Sequence, residues 1–277
     1  FRHKIDMKRP LLLLLTITVY TTAYGQYMFD YSDIKAGKFT QITVSGLRSM
    51  NDGEHYTITS EGRIEKYSYK TGEKTAVLFD ASQHMQQGQT FSDYLFSPDE
   101  RKILLTTGLN PIYRHSYTAD HWIFDIPTGS MIKLTEKGSE QVPAFSPDGS
   151  KVAMVLDNDI WYISTDSQDR TPIRITDDGV ANEIINGHTD WVYEEEFGFT
   201  RAFEWSPDGK SIAYLRFDER EGPEFSITRF TGGLYPAPLT FKYPKAGEKN
   251  SVVELWVWSS DNNGRARVDV GDNSDQY

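Results

Sequence analysis

A unit built on Ser-Pro-Asp recurs along this chain, and it restricts the fold more than any other feature. Three copies are plain: YLFSPDERKILLTTG from Tyr94, PAFSPDGSKVAMVLDNDIWYIS from Pro143 and FEWSPDGKSIAYLRFDE from Phe203. Their cores begin at Ser97, Ser146 and Ser206, periods of 49 and 60 residues, and a degenerate earlier copy starts at Tyr56. Within a copy an aromatic residue precedes the turn, Pro presets φ and Gly supplies positive φ. Short alternating strands follow, such as 151–156, then DIWYI (159–163) and PIRIT (172–176). Repeated units of four short strands at a spacing of roughly 40 to 60 residues predict an all-β chain, a β-propeller built of blades. A β-sandwich is the alternative, but sandwiches do not repeat one turn-strand-strand-strand unit.

At this period residues 26–277 hold about four to five blades, short of a closed ring. The strands VVELWVWSS from Val252 and RARVDV from Arg265 read as the opening hairpin of a further blade that stops part-way, so the propeller is expected to be incomplete.

Composition narrows the function classes. A formal net charge of -11 with 38% hydrophobic residues describes a globular acidic chain. It offers no basic stripe to neutralise phosphates, so no nucleic-acid partner is expected. With no cysteine there is neither a thiolate nucleophile nor a Cys-based zinc site. The six histidines form no His-Glu-x-x-His pair, and no Gly-x-x-x-x-Gly-Lys loop occurs. No metal or cofactor is therefore expected.

The segment MKRPLLLLLTITVYTTAYGQ starts at Met7 with Lys8 and Arg9, continues through a short apolar run and exits at Ala23 and Gly25. That is the pattern of a secretory signal peptide over 7–25, and the run falls short of the ~20 residues that span a bilayer. Residues 1–6 read as upstream translation, and the mature chain is expected to be exported to the periplasm or secreted.

Glu194, Glu195 and Glu196 follow Trp191, Val192 and Tyr193 and precede Phe197 and Phe199, in an insertion between strands. A solvated acidic turn is one reading. The flanking aromatics favour another: carboxylates drawn against an apolar surface repel one another unless a cation, such as a substrate ammonium, lies between them. Adjacent residues of a strand point to opposite faces, so convergence on one ligand requires a short helix or an irregular turn here.

The motif DWVYEEE (190–196) closely resembles the double-glutamate motif of the dipeptidyl peptidase IV family of serine peptidases. YRHSYTADHWIFDI (113–126) is similar to that family's arginine-bearing segment, and YPKAGEKN (243–250) to its propeller. The resemblance implies that Glu195 and Glu196 bind the free α-amino group of a peptide and that Arg114 contacts a substrate carbonyl oxygen. Glu194 is not expected to be a primary ligand, and His115 reads as structural. It implies further a Ser-Asp-His triad on an α/β-hydrolase domain following the propeller. No Gly-x-Ser-x-Gly elbow occurs in this chain, so no catalytic residue is assigned in it.

The expected function is therefore substrate gating and N-terminus binding for an exopeptidase that releases Xaa-Pro or Xaa-Ala dipeptides, a homodimer at full length. The alternative is a non-catalytic, TolB-like propeller that binds peptides or proteins in the cell envelope.

Overall fold

The computed structural model describes residues 29–41, 46–166, 170–230 and 232–271. Two units divide the chain, residues 1–45 and 46–277. The described part of the first contains one short helix, α1 (Tyr31–Lys35), capped by Asp30, whose side chain accepts the Ser32 N–H. The signal-peptide segment 7–25 and residues 1–6 lie outside the described residues.

The second unit is a run of antiparallel sheets in which chain neighbours pair with chain neighbours. The first blade is β1 (Arg48–Ser49), β2 (His55–Ser60), β3 (Arg63–Ser68) and β4 (Lys74–Asp80), followed by the helical turn α2 (Ala81–His84). Next come β5 (Asp93–Phe96), β6 (Lys102–Pro111), β7 (Tyr117–Asp125) and β8 (Ser130–Lys133), then β9 (Gln141–Phe145), β10 (Lys151–Leu156), β11 (Asp159–Ser164) and β12 (Ile173–Arg174). The degenerate copy from Tyr56 thus forms β2 to β4 of the first blade.

The fourth blade is interrupted twice. β13 (Ile184–Asn186) pairs with the far end of β15 (Ser211–Asp218), and the helix α3 (Trp191–Phe197) intervenes before β14 (Phe203–Trp205) takes the near end of the same edge. After β15 the chain leaves the sheet for a separate hairpin, β16 (Glu224–Arg229) and β17 (Ala237–Lys242). It then returns as β18 (Val252–Ser259) and β19 (Gly264–Arg267).

β18 pairs with β15 along its whole length, from Ser211↔Ser259 to Asp218↔Val252. The strands from Val252 and Arg265 therefore complete the fourth blade instead of opening a fifth, which corrects the expectation drawn from their spacing. The inserted hairpin separates partner strands in sequence while leaving their register intact. Among the described residues the propeller comprises four blades.

Packing explains why the strands read as almost continuous apolar runs. Successive side chains of a strand point to opposite faces, and an inner blade buries both. On β6, Ile103 and Leu105 join Ile64, Phe79 and Phe124 in one core, while Leu104 between them joins Val152 and Met154 in the next. On β10, Val152 and Met154 face that second core, and Ala153 and Val155 face a third with Phe203, Ile212 and Trp258. Strict alternation into two cores is what stacking of blade on blade requires.

The three Ser-Pro-Asp turns share one geometry. Each serine hydroxyl donates to the aspartate two residues on at 2.6 Å, Ser97 to Asp99, Ser146 to Asp148 and Ser206 to Asp208. The same oxygen accepts the amide five residues on, at 2.9 to 3.0 Å. The fourth position is left-handed in all three, Gly149 (φ 70°), Gly209 (φ 66°) and, without glycine's freedom, Glu100 (φ 55°). A Cβ at Gly149 would touch the Ser97 side chain at 3.5 Å, and one at Gly209 that of Ser146 at 3.8 Å, so the turns of successive blades lie against one another.

Candidate functional site

Two protrusions meet above the blades. The first is the hairpin joining β6 and β7, strands of ten and nine residues that outrun their four-residue partners β5 and β8. A bulge between Thr107 and Asn110 interrupts their ladder, and the turn 112–116 beyond it carries Arg114. The Ile112 N–H donates to the Ser116 carbonyl at 2.8 Å and closes that turn.

The second is α3, a helix of seven residues fixed at both ends. Asp190 caps its start by accepting the Tyr193 N–H at 2.8 Å, and Gly198, at φ 72°, ends it in the left-handed conformation. The insertion is thus the short helix that convergent carboxylates require. Successive side chains leave such a helix about 100° apart.

The three glutamates consequently occupy three environments. Glu194 is 0% exposed, and its Oε1 accepts the backbone N–H groups of His115 and Ser116 at 2.6 and 2.9 Å. Glu195, its side chain 13% exposed, sets Oε2 3.1 Å from Arg114 Nε. Glu196 is exposed and lines a cleft of about 560 Å3 with Trp191, Phe197, Tyr243, Lys245 and Glu248. The structure therefore brings Arg114 and Glu195 together and turns Glu196 toward the adjoining cleft.

Arg114 keeps 72% of its side chain in solvent. Its planar guanidinium carries five donors, more than the single carboxylate beside it can use, so it remains suited to accepting a carbonyl partner. Glu195 and Glu196, one partly covered and one open, can offer acceptors to a primary ammonium, which has three donors. Among the described residues no group of three His, Cys, Asp or Glu side chains could hold a metal ion.

Aromatic and buried residues around the site were given no role from the sequence. Trp191 lies 4.3 Å from Tyr243, and Tyr113 5.4 Å from Phe241, ring centroid to centroid, so α3, the 112–116 turn and the β16–β17 hairpin share an aromatic cluster. Beneath it a small cavity of about 140 Å3 is lined by Tyr113, Asn158, His188, Asp190 and Glu219 among others. Burial, and then the Asp190 charge, pushes the Glu219 carboxyl up to about 8. Asp190 is raised by burial although Ser251 Oγ donates to it at 2.6 Å. Burial together with Glu219, Glu194 and Asp190 raises the Tyr113 phenol, and burial pushes His188 down to about 4. Only the spacing of acids and aromatics around residue 190 hints at this layer, and it does not say which acids are buried.

A four-bladed run of β-meanders with a helix and a hairpin turn joined by an Arg–Glu pair is the class of molecule defined so far. Residues 97–277 match the model of the dipeptidyl peptidase IV N-terminal region. Prolyl endopeptidase FAP of Bos taurus is 35% identical over 228 residues, 81% of this chain and 29% of that protein. Dipeptidyl peptidase 4 of Trichophyton tonsurans is 34% identical over 221 residues, covering 77% and 27%. Inactive dipeptidyl peptidase 10 of Rattus norvegicus is 34% identical over 217 residues, covering 76% and 26%. The crystal structure of Porphyromonas gingivalis dipeptidyl peptidase 4 superposes with a TM-score of 0.82 at 38% identity, over 91% of this chain and 36% of that one. The chain belongs to the dipeptidyl peptidase IV family and represents its N-terminal β-propeller region, spanning about a third or less of the length of these relatives.

Proposed function

We propose that this propeller gates substrate and binds its N-terminus for an exported serine exopeptidase that releases Xaa-Pro or Xaa-Ala dipeptides. The observation that carries the reading is the 3.1 Å pair of Arg114 and Glu195, formed where a hairpin turn of the second blade meets the helix that enters the fourth. In this arrangement Glu195 and Glu196 take the peptide's α-ammonium, and Arg114 donates to a backbone carbonyl of the first residues. Holding the amine at a fixed distance from a nucleophile makes the enzyme count residues, because binding energy is used for orientation. The nucleophile belongs to an α/β-hydrolase domain outside this chain, so the propeller alone is inactive. The full-length protein is a homodimer in this reading.

Incubating full-length protein with a peptide bearing proline second, and identifying products by mass spectrometry, tests the reaction. Release of the N-terminal dipeptide is expected, and recovery of intact peptide would sink the proposal. A second reading, a propeller that binds peptides without cleaving them, draws support from the 34% identity to a relative named as inactive. Saturable binding of the same peptide with no product would favour it.

A further inference from the structure

We propose that Glu194 is a positioning residue for the N-terminus site, fixing the turn from which Arg114 projects. The inference rests on the amine-site reading of Arg114 and Glu195. Arg114 is 72% exposed, so side-chain packing does little to place it. Besides its pair with Glu195, the guanidinium is placed by the backbone of its turn, and the two amides that directly follow Arg114, those of His115 and Ser116, both donate to Glu194 Oε1. Neighbouring residues of α3 thus grip neighbouring parts of the turn, Glu194 its backbone and Glu195 its arginine.

The burial of Glu194 argues for a specific demand. The residue is wholly buried, and its Oε2 has no hydrogen-bond partner. Burying a carboxylate with half of its acceptor capacity unused is costly. The Ile112–Ser116 bond already closes the turn, so the two bonds to Glu194 fix its orientation further. At 2.6 Å the contact to the His115 N–H is short for a bond to a backbone amide. Tyr113 packs on Phe241 and its N–H donates to Ser116 Oγ at 3.3 Å, so the start of the turn is held independently of Glu194. Without Glu194 the turn would stay folded while Arg114 sampled positions away from Glu195.

The test uses full-length protein and a Gly-Pro reporter substrate with a free amine. Glu194→Leu keeps the volume and removes the acceptor. It is expected to raise KM about tenfold or more, in line with loss of hydrogen bonds to a charged group. It should also speed hydrogen exchange across 112–116, and add little when combined with Arg114→Ala. Glu194→Gln, which retains one acceptor oxygen, should give a smaller rise, roughly threefold.

An unchanged KM in Glu194→Leu, or an effect that adds in full to Arg114→Ala, overturns the proposal. Should Glu194→Leu fail to fold, Glu194→Gln decides. A roughly threefold rise in KM that vanishes in the Arg114→Ala background supports positioning, at half the bond strength. No rise, or the same rise in both backgrounds, contradicts it. If Arg114→Ala and Glu195→Gln themselves leave KM unchanged, the amine-site reading fails. If they raise KM and Glu194 variants stay silent, only the positioning role fails.

Discussion

Glu194, Glu195 and Glu196 are chemically identical and adjacent, yet one is buried on backbone amides, one is paired with Arg114 and one faces an open cleft. Helix phase produces the difference, and phase is what a sequence motif does not state. Arg114, Glu195 and Glu196 were singled out by the resemblance of their motifs, and the structure pairs the first two at 3.1 Å. The burial of Glu194, Asp190 and Glu219 was not, since a run of acids reads equally well as solvated. Replacing Arg114 by Lys exchanges a planar fork for a point charge, and we expect a rise of about tenfold in KM on the Gly-Pro reporter, measured in full-length protein. Glu219 gives a test by pH. Its folded value, about 8, stands above the ordinary carboxyl range, so the folded state holds a proton that the unfolded state has lost. The contribution of Glu219 to stability is therefore greatest at low pH and declines as pH rises from about 4.5 to about 8. Glu219→Gln mimics the protonated form. It should raise Tm more at pH 8 than at pH 5, and an equal effect at both would show that the carboxyl titrates normally.

Elements carry the second level of the account. The Ser-Pro-Asp turn was read as a proline-preset turn closed by glycine. The structure adds a serine hydroxyl that donates to aspartate and accepts from the returning strand, which no propensity reports. Ser146 is fully buried, so Ser146→Ala should cost about 1.5 to 3 kcal/mol at neutral pH, read from chemical denaturation. Part of that loss is tied to ionised Asp148, which the Ser146 hydroxyl, ahead of other contacts, holds at about 2. The contribution is present above the ordinary aspartate value of 3.8 and disappears as pH falls toward 2, so the gap between variant and wild type should narrow on acidification. At the same turn position Glu100 tolerates φ of 55° while its carboxylate accepts the Asn51 N–H at 2.6 Å, linking the first blade to the second. The misread element was β18. Its spacing from β15 suggested a new blade, because a hairpin insertion leaves no mark in periodicity and only the pairing reveals that the strand belongs to the old one.

At the scale of the molecule, the propeller's architecture was legible because its repeat is encoded three times over. The site was only partly so, because it forms between a hairpin of one blade and an insertion of another, 77 to 83 residues apart from Arg114 to Trp191 through Phe197. Blade stacking is what brings such distant segments together. Export is expected of the whole chain. Intact-mass analysis of protein recovered from outside the cytoplasm should find an N-terminus close to Gln26, and retention of residues 7–25 would contradict a cleaved signal.

Discrimination between a free and a blocked amine tests the central claim most directly. In full-length protein, kcat/KM for a Gly-Pro reporter would be divided by that for its N-acetylated form, in wild type and in Glu195→Gln/Glu196→Gln. Two bonds to charged groups imply a ratio of about 100 or more in wild type, collapsing toward unity in the double variant. A ratio that survives the double substitution would place amine recognition elsewhere and contradict the account.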